Sequence, residues 1–239
     1  MTNPQSETIE SRLVFLKKRL KTAAEKSGRS ENKITLVAVI KGVPAPVVNK
    51  AIELGLKDFG ENRIQEALAK RQELKVSGGQ GIRFHMIGHI QTNKAKKAVE
   101  FFDMIQSVDR PELAAILDRA AAERGKIQRC FVEVKISPEP TKTGIPLNEA
   151  PGFIGNFKRY NHLQLEGLMT IPPFGLRAEE TFKYFSEFKS FFDSQREFLN
   201  EKPVLSMGMT DDFEIAIEAG ATMVRIGRGL FGERELGTI

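Results

Sequence analysis

A lysine at the end of the most apolar segment of the chain is the first candidate for chemistry. Residues 34–40 form a near-continuous apolar run, typical of a strand buried on both faces, and Lys41 follows directly. Partial burial of an ammonium group favours the neutral amine, which is the form that condenses with an aldehyde to a Schiff base. The simpler interpretation is a lysine whose carbon chain packs at the rim of the fold while its charge stays in water.

Small residues after two apolar segments near the C-terminus could bind an anion. Ser206 and Gly208 follow one predicted strand, and Gly227 follows the next. A hydroxyl group and glycine backbone amides at such positions can approach a phosphate closely. The alternative is that the glycines serve only to form turns.

An arginine inside the last apolar strand must have a partner. Arg225 lies within residues 223–226, and an unpaired charge is very costly to bury. The partner is either a ligand atom or a carboxylate, for which Glu61 and Glu166 are candidates.

Strands and helices alternate along the whole chain. Apolar runs predict strands at 34–40, 58–60, 83–87, 103–107, 130–136, 164–169, 204–206 and 222–226, and helical patterns include 6–27, 148–157, 178–199 and 211–218. About eight strand–helix units without a linker predict an α/β fold that is a single (β/α)8 TIM barrel. An open doubly wound sheet is the fallback, but a glycine-rich dinucleotide fingerprint does not follow the first strand.

The barrel explains how distant residues meet. The carboxyl ends of all strands lie at one face, where barrel active sites form, and the loops after strands seven and eight often bind phosphate. We therefore expect one domain over residues 1–239, with an extra N-terminal helix in residues 1–30 packing on the barrel.

Charge and composition exclude several classes of protein. The formal net charge is +5 and the pI about 9.3. The densest basic runs, at 17–21 and 94–97, lie in helical patterns without interleaved aromatic residues, so we interpret them as solvated helix faces rather than a nucleic-acid site. A polar N-terminus and the absence of a long apolar run predict a cytoplasmic protein without a membrane segment.

Cysteine and histidine do not indicate a metal site. Cys130 is the only cysteine, and because it opens an apolar run we expect a buried thiol. His85 and His89 flank a strand end instead of sharing a helix face, and we expect His85 to be hydrogen-bonded inside the barrel.

Eight motifs in order resemble those of the pyridoxal phosphate homeostasis protein family. They are LVAVIK at 36–41, FGEN at 59–62, HMIGHIQTNK at 85–94, KTG at 142–144, GLMTIP at 167–172, LSMGMTDDF at 205–213, GATMVRIG at 220–227 and FGER at 231–234. The resemblance covers nearly the whole chain, and it implies the barrel of the alanine racemase N-terminal domain (a barrel of PLP fold type III) without that enzyme's second domain.

The resemblance implies pyridoxal 5′-phosphate (PLP) as cofactor and assigns residues to it. Lys41 would form the Schiff base, Asn62 would lie beside the ring, and Arg225 would face the pyridine nitrogen. The other residues implied are Met169, Met207, Ser206, Gly208 and Gly227, together with Arg228 at the phosphate and Lys142 as a secondary contact. Two positions depart from the family pattern: Val43 replaces a second lysine, and Arg228 replaces a threonine or serine.

The expected function is PLP homeostasis without catalytic turnover. A permanent cation beside the ring nitrogen disfavours its protonation, which makes the ring a poorer electron sink. Racemisation also needs a second acid–base group, and the two tyrosines, Tyr160 and Tyr184, fall in or beside outer helical segments. We expect a monomer that passes PLP to apo-enzymes. The alternatives are a PLP-dependent racemase or decarboxylase and, more remotely, a barrel that binds nucleic acid or protein through its basic charge.

Overall fold

Eight parallel strands close into a barrel. The computed structural model describes residues 8–75, 81–139 and 142–233. The strands are β1 (Thr35–Val39), β2 (Asp58–Glu61), β3 (Arg83–Met86), β4 (Met104–Val108), β5 (Gln128–Lys135), β6 (Ile145–Pro146), β7 (Leu163–Met169), β8 (Val204–Ser206) and β9 (Met223–Ile226). Eight of these nine strands, all except β6, are hydrogen-bonded in the order β4-β3-β2-β1-β9-β8-β7-β5, and the pairing of β4 with β5 closes the ring. The predicted (β/α)8 barrel is confirmed.

The first strand is buried on both faces, as its composition predicts. Val37 belongs to a small apolar cluster inside the barrel, with Phe131 and Met169. Ala38 on the same strand belongs to the larger core between the barrel and the helices. Since side chains alternate along a strand, one apolar run supplies both cores.

Helices connect the strands and cover the barrel. They are α1 (Ile9–Lys26), α2 (Ala45–Glu53), α3 (Ile64–Glu73), α4 (Ala95–Phe101), α5 (Pro111–Ala122), α6 (Ala150–Gly155), α7 (Ala178–Ser194), α8 (Phe213–Glu218) and α9 (Arg228–Phe231). None of the described helices combines the length and the apolar character that crossing a membrane requires.

The N-terminal helix packs on the outside of the barrel. The Thr8 side chain caps α1 by accepting a hydrogen bond from Ser11 N, and residues 6 and 7, where the sequence predicted the helix to begin, lie outside the described residues. Arg19 donates two hydrogen bonds to the Glu214 carboxylate, at 2.7 and 2.6 Å, and its guanidinium lies over the ring of Phe213. These contacts attach α1 to α8.

Two details differ from the sequence prediction. The helix predicted over 178–199 ends at Ser194, and a 3-10 turn over Arg196–Phe198 follows, because Phe198 N bonds to the Gln195 carbonyl three residues back. The two-residue strand β6 was not predicted; it pairs with the end of β5. The buried thiol of Cys130 is confirmed, since this side chain is fully inaccessible.

Candidate functional site

A cavity of about 620 Å³ opens at the carboxyl ends of the strands. Its volume is in the range of small-molecule and cofactor sites. Five of the residues that the sequence analysis singled out line it: Lys41, Asn62, Arg225, Gly227 and Arg228. The barrel therefore brings together residues that are up to 187 positions apart in the chain (228 − 41 = 187).

Lys41 stands at the end of β1 and is half-buried. The strand continues into it through Ile40, whose amide donates to the Gly60 carbonyl at 2.9 Å. Gly42 then turns the chain with φ of +64°, a left-handed conformation that glycine adopts without steric cost. Val43, where the family pattern has a second lysine, is buried, so its side chain packs into the core instead of facing the cavity.

Arg225 on β9 borders the cavity, and hydrogen bonds to the barrel interior hold its guanidinium. Its Nη1 donates to the Ser206 hydroxyl oxygen at 2.7 Å, and its Nη2 donates to the Thr170 carbonyl at 2.9 Å. Burial lowers the pKa of Arg225 to about 10, opposed by the carboxylates of Glu133 and Asp212. The guanidinium therefore stays charged at neutral pH, with two neutral oxygen partners that fix its orientation.

The predicted carboxylate partners of Arg225 are wrong. Glu166 instead accepts two hydrogen bonds from Arg129, at 2.6 and 2.7 Å, and Glu61 accepts from Lys70. In both cases the carboxylate is paired with a cation on a neighbouring element. The open interpretation of Arg225, a partner supplied by a ligand in the cavity, remains.

A chain of hydrogen bonds leads from Arg225 across the barrel interior. The Ser206 hydroxyl donates to Gln106 Oε1 at 2.7 Å, and Gln106 Nε2 lies 2.9 Å from His85 Nδ1. His85 Nε2 lies 2.9 Å from Asp58 Oδ1. With Gln106 Nε2 as donor to Nδ1 and the Asp58 carboxylate as acceptor from Nε2, both ring nitrogens of His85 have a hydrogen-bond partner. The expectation of a hydrogen-bonded barrel histidine is confirmed.

The far end of this chain is a stable anion. Burial opposes ionisation of Asp58, but hydrogen bonds from His85 and from Arg83 outweigh burial and lower the pKa of Asp58 to about 2. At neutral pH every link thus has a fixed donor and a fixed acceptor. The Ser206 proton is committed to Gln106, so this hydroxyl is not available to donate to a ligand.

The loops after β8 and β9 meet at one side of the cavity. Gly208 has φ of +94°, and a Cβ there would lie 2.5 Å from the Ala216 Cβ, so only glycine fits. The Gly208 carbonyl accepts from Arg225 N at 3.0 Å, which joins the loop after β8 to strand β9. Gly229 N donates to the Thr210 hydroxyl at 3.2 Å. This close approach of two backbones is the kind of arrangement in which amides contact a phosphate.

Arg228 brings a second cation to the same side. Its Nη2 donates to both carboxylate oxygens of Asp211, at 2.8 and 2.6 Å, and both side chains are more than half exposed. Such an exposed pair is weak, so an anionic ligand can compete with Asp211 for the guanidinium.

Asn62 carries an unsatisfied polar atom. Its Oδ1 is buried and has no hydrogen-bond partner among the described residues, and the side chain lines the cavity. A buried acceptor of this kind indicates a missing donor, such as a ligand hydroxyl. The primary amine, the unpaired acceptor, the fixed arginine and the glycine loops fit the aldehyde, ring substituents and phosphate of PLP.

The remaining predicted residues lie elsewhere. Met169, Ser206, Met207 and Gly208 are buried under the cavity and do not line it. Lys142 lines a neighbouring cavity of about 400 Å³, which shares Phe174 and Met209 with the first. A role of the four buried residues toward a ligand would thus act through their neighbours, as that of Ser206 does through Arg225.

Sequence analysis missed Lys70 on α3, which lies next to the Lys41 strand end. It shares the buried face of that helix with Ile64 and Ala67, which are six and three residues earlier. A lysine in an apolar helical register was the available signal. Among the described residues, His, Cys, Asp and Glu side chains form no group of three or more that could hold a metal ion.

Comparison with known proteins identifies the class of barrel. The family model for the alanine racemase N-terminal domain matches residues 13–235. The pyridoxal phosphate homeostasis protein of Aquifex aeolicus is 39% identical over 225 residues, covering 94% of this chain and 97% of the relative. That of Escherichia coli K12 is 35% identical over 228 residues, covering 95% and 97%.

A solved relative has the same fold over nearly the whole chain. PipY of Synechococcus elongatus, solved with PLP bound, superposes with a TM-score of 0.81 at 35% identity and covers 94% of this chain and 100% of its own. The fold and the site thus define a barrel of the alanine racemase N-terminal domain class. The chain belongs to the pyridoxal phosphate homeostasis protein family, and the resemblance seen in the sequence is confirmed.

Proposed function

We propose that this protein binds PLP in the cavity through a Schiff base on Lys41 and serves in PLP homeostasis without catalytic turnover. The observation that carries the proposal is the shared cavity of Lys41, Arg225 and the Gly227–Arg228 loop. An amine, a fixed cation and an anion-binding loop in one cavity match the three functional ends of the cofactor. The related PipY, solved with PLP bound, supports the same ligand.

The residues around the cavity favour holding the cofactor over using it. PLP supplies an electron sink for carbanions when its ring nitrogen is protonated. The Arg225 guanidinium, fixed by Ser206 and Thr170, is a permanent donor at the position proposed for that nitrogen. Because a cation repels a second proton there, the sink stays weak.

Among the described residues, the acid–base groups that line the cavity besides Lys41 are the carboxylates of Asp211 and Glu233, and Asp211 is paired with Arg228. The lining contains no tyrosine, histidine or cysteine among those residues. Tyr160 is buried, and its hydroxyl bonds to the Pro111 carbonyl at 3.2 Å; Tyr184 lies on α7. This arrangement favours a PLP carrier over the alternative, a PLP-dependent racemase or decarboxylase.

The setting proposed for this function is the cytoplasm, with the protein as a monomer that releases PLP to apo-enzymes. The wide cavity mouth supports release, since its rim includes the exposed side chains of Phe174, Met209 and Arg228. Transfer is tested by mixing the PLP-loaded protein with an apo-enzyme and following recovery of that enzyme's activity. An unloaded sample is the control.

The proposal is tested by absorbance spectra of purified protein after addition of PLP. A band near the visible edge that survives dialysis and is bleached by borohydride is expected in the wild type and not in Lys41→Ala. Lys97→Ala, an exposed lysine on α4, is the matched control and should keep the band. Amino acids are then added: carrier function predicts no product, and sustained formation of the opposite enantiomer or an amine would establish the enzyme alternative.

A further inference from the structure

Helix α3 presents two side chains of opposite charge to the backbone on either side of Lys41. Lys70 Nζ donates to the Ile40 carbonyl, which belongs to the peptide group before Lys41. Glu66 Oε1 accepts from Gly42 N, which belongs to the peptide group after it. The two side chains are one helical turn apart and are bonded to each other at 3.2 Å.

Lys70 is committed to this position. Its side chain is only 8% exposed, and its ammonium group has three acceptors: the Ile40 carbonyl, Glu61 Oε1 and Glu66 Oε1. An ammonium group has three N–H donors, so all are used. A buried cation with all its donors satisfied holds its partners firmly, because breaking any bond leaves a buried charge underpaired. The same satisfaction argues against Lys70 as a second amine for the aldehyde.

The contacts restrain the two backbone angles that aim the Lys41 side chain. The Ile40 carbonyl also accepts from Val43 N at 3.0 Å, so the turn after Lys41 closes on the atom that Lys70 holds. Gly42, at φ of +64°, supplies conformational freedom at this turn, and Glu66 restricts it. Lys41 thus lies in a turn whose two flanking peptide groups are both hydrogen-bonded to side chains of α3.

We propose that Lys70 and Glu66 are positioning residues for Lys41 and set the rate at which its amine reacts with the PLP aldehyde; this rests on the function proposed above. In that reaction the neutral amine adds to the aldehyde carbon, forming the C–N bond. The aldehyde oxygen then takes both amine protons, relayed through solvent, and leaves as water as the C–O bond breaks and the C=N bond forms. The addition depends on the approach of nitrogen to carbon, so a loosened turn slows it.

The experiment compares Lys70→Met, Glu66→Ala and Glu66→Gln, with Lys97→Met as an exposed-lysine control. Glu66→Gln keeps an oxygen that can accept from Gly42 N, and Glu66→Ala removes it. The rate constant for appearance of the visible-edge band is measured after mixing with PLP. Binding of pyridoxine 5′-phosphate, which has the ring and phosphate but no aldehyde, is measured in parallel. Glu66 is partly exposed, so its variants serve if Lys70→Met does not fold.

We expect Lys70→Met and Glu66→Ala to lower the rate constant for appearance of the band by about tenfold or more. The rate constant of Glu66→Gln should be much closer to that of the wild type. Affinity for pyridoxine 5′-phosphate should not change. Unchanged rates in folded variants would overturn the positioning role alone, and so would a parallel loss of affinity for the analogue, which indicates a general structural role. A wild type without any band would overturn the function proposed above and this inference with it.

Discussion

The guanidinium of Arg225 donates to the hydroxyl of Ser206 at 2.7 Å, and this bond joins the ligand cavity to the polar interior of the barrel. The Ser206 hydroxyl in turn donates a hydrogen bond to Gln106 Oε1 at 2.7 Å, so it is both acceptor and donor in one chain. The orientation of a residue at the cavity is thus set by groups that do not line it.

Ser206→Ala should destabilise the fold. Arg225 Nη1 and Gln106 Oε1 would each lose a partner in the barrel interior, which costs about 1–3 kcal/mol per buried unpaired group. We expect the free energy of unfolding in urea to fall accordingly. Ser190→Ala, which removes an exposed hydroxyl on α7, should change it little. Equal values for the two variants would show that the chain of bonds contributes nothing.

Arg225→Gln should make the bound cofactor more reactive. The amide keeps a donor for Ser206, and the loss of the positive charge permits the ring nitrogen to gain a proton. We expect faster exchange of the α-hydrogen of alanine for deuterium in D2O, followed by NMR with the PLP-loaded protein. Arg124→Gln, which removes an exposed arginine that does not line the cavity, is the control and should leave the exchange rate at the wild-type level.

The stability of the protein should fall as pH rises toward neutrality because of Glu133. Burial raises the pKa of this carboxyl from 4.5 to about 7, against the hydrogen bond from Thr143 and the charge of Arg225. The unfolded chain ionises Glu133 near pH 4.5, whereas the folded protein keeps the proton until about pH 7. Between these values the unfolded state binds fewer protons, so the free energy of unfolding declines, by about 3 kcal/mol.

Glu133→Gln tests this dependence, since glutamine keeps an oxygen that can accept from the Thr143 hydroxyl. The free energy of unfolding is measured for both proteins from pH 4.5 to just above pH 7. Across that interval the free energy of unfolding should fall less in the variant than in the wild type. At the low end of the interval the two values should be similar. Parallel curves would show that Glu133 ionises alike in the folded and unfolded states.

Gly208→Ala should damage the loop after β8. The new Cβ would lie 2.5 Å from the Ala216 Cβ, at a φ of +94° that side chains rarely adopt. Gly175→Ala is the matched control, because φ there is +75° but nothing lies within 4 Å of the new atom. We expect Gly208→Ala to lower the free energy of unfolding more than Gly175→Ala does. We expect weaker binding of inorganic phosphate in Gly208→Ala and not in Gly175→Ala. Equal losses would assign the whole effect to the backbone angle.

The barrel could be predicted because the sequence patterns that define its strands and helices are local. Parallel strands need crossover helices, and a strand such as Thr35–Val39, in which four consecutive residues after Thr35 are apolar, must be covered on both faces. Once the alternation is read, Lys41, Asn62 and Arg225 must lie at one end of the barrel, where the cavity is found.

The partners inside the barrel were not predictable in the same way. Arg225 clearly needed one, but whether Glu61, Glu166 or Ser206 faces it depends on the tilt and stagger of strands far apart in sequence. Lys70 was likewise not singled out from the sequence, because its bond to the Ile40 carbonyl depends on how α3 packs against the end of β1. The sequence specifies which groups reach the barrel end, and the three-dimensional register decides which of them pair.

The most direct test of PLP binding on Lys41 is to locate the covalent link. The protein is loaded with PLP, reduced with borohydride, digested and analysed by peptide mass spectrometry. The account predicts a phosphopyridoxyl group on the peptide that contains Lys41, at close to one per chain, and none on that peptide in Lys41→Ala. A group found mainly on Lys70 or Lys142, or spread over exposed lysines with Lys41 unmodified, would contradict it.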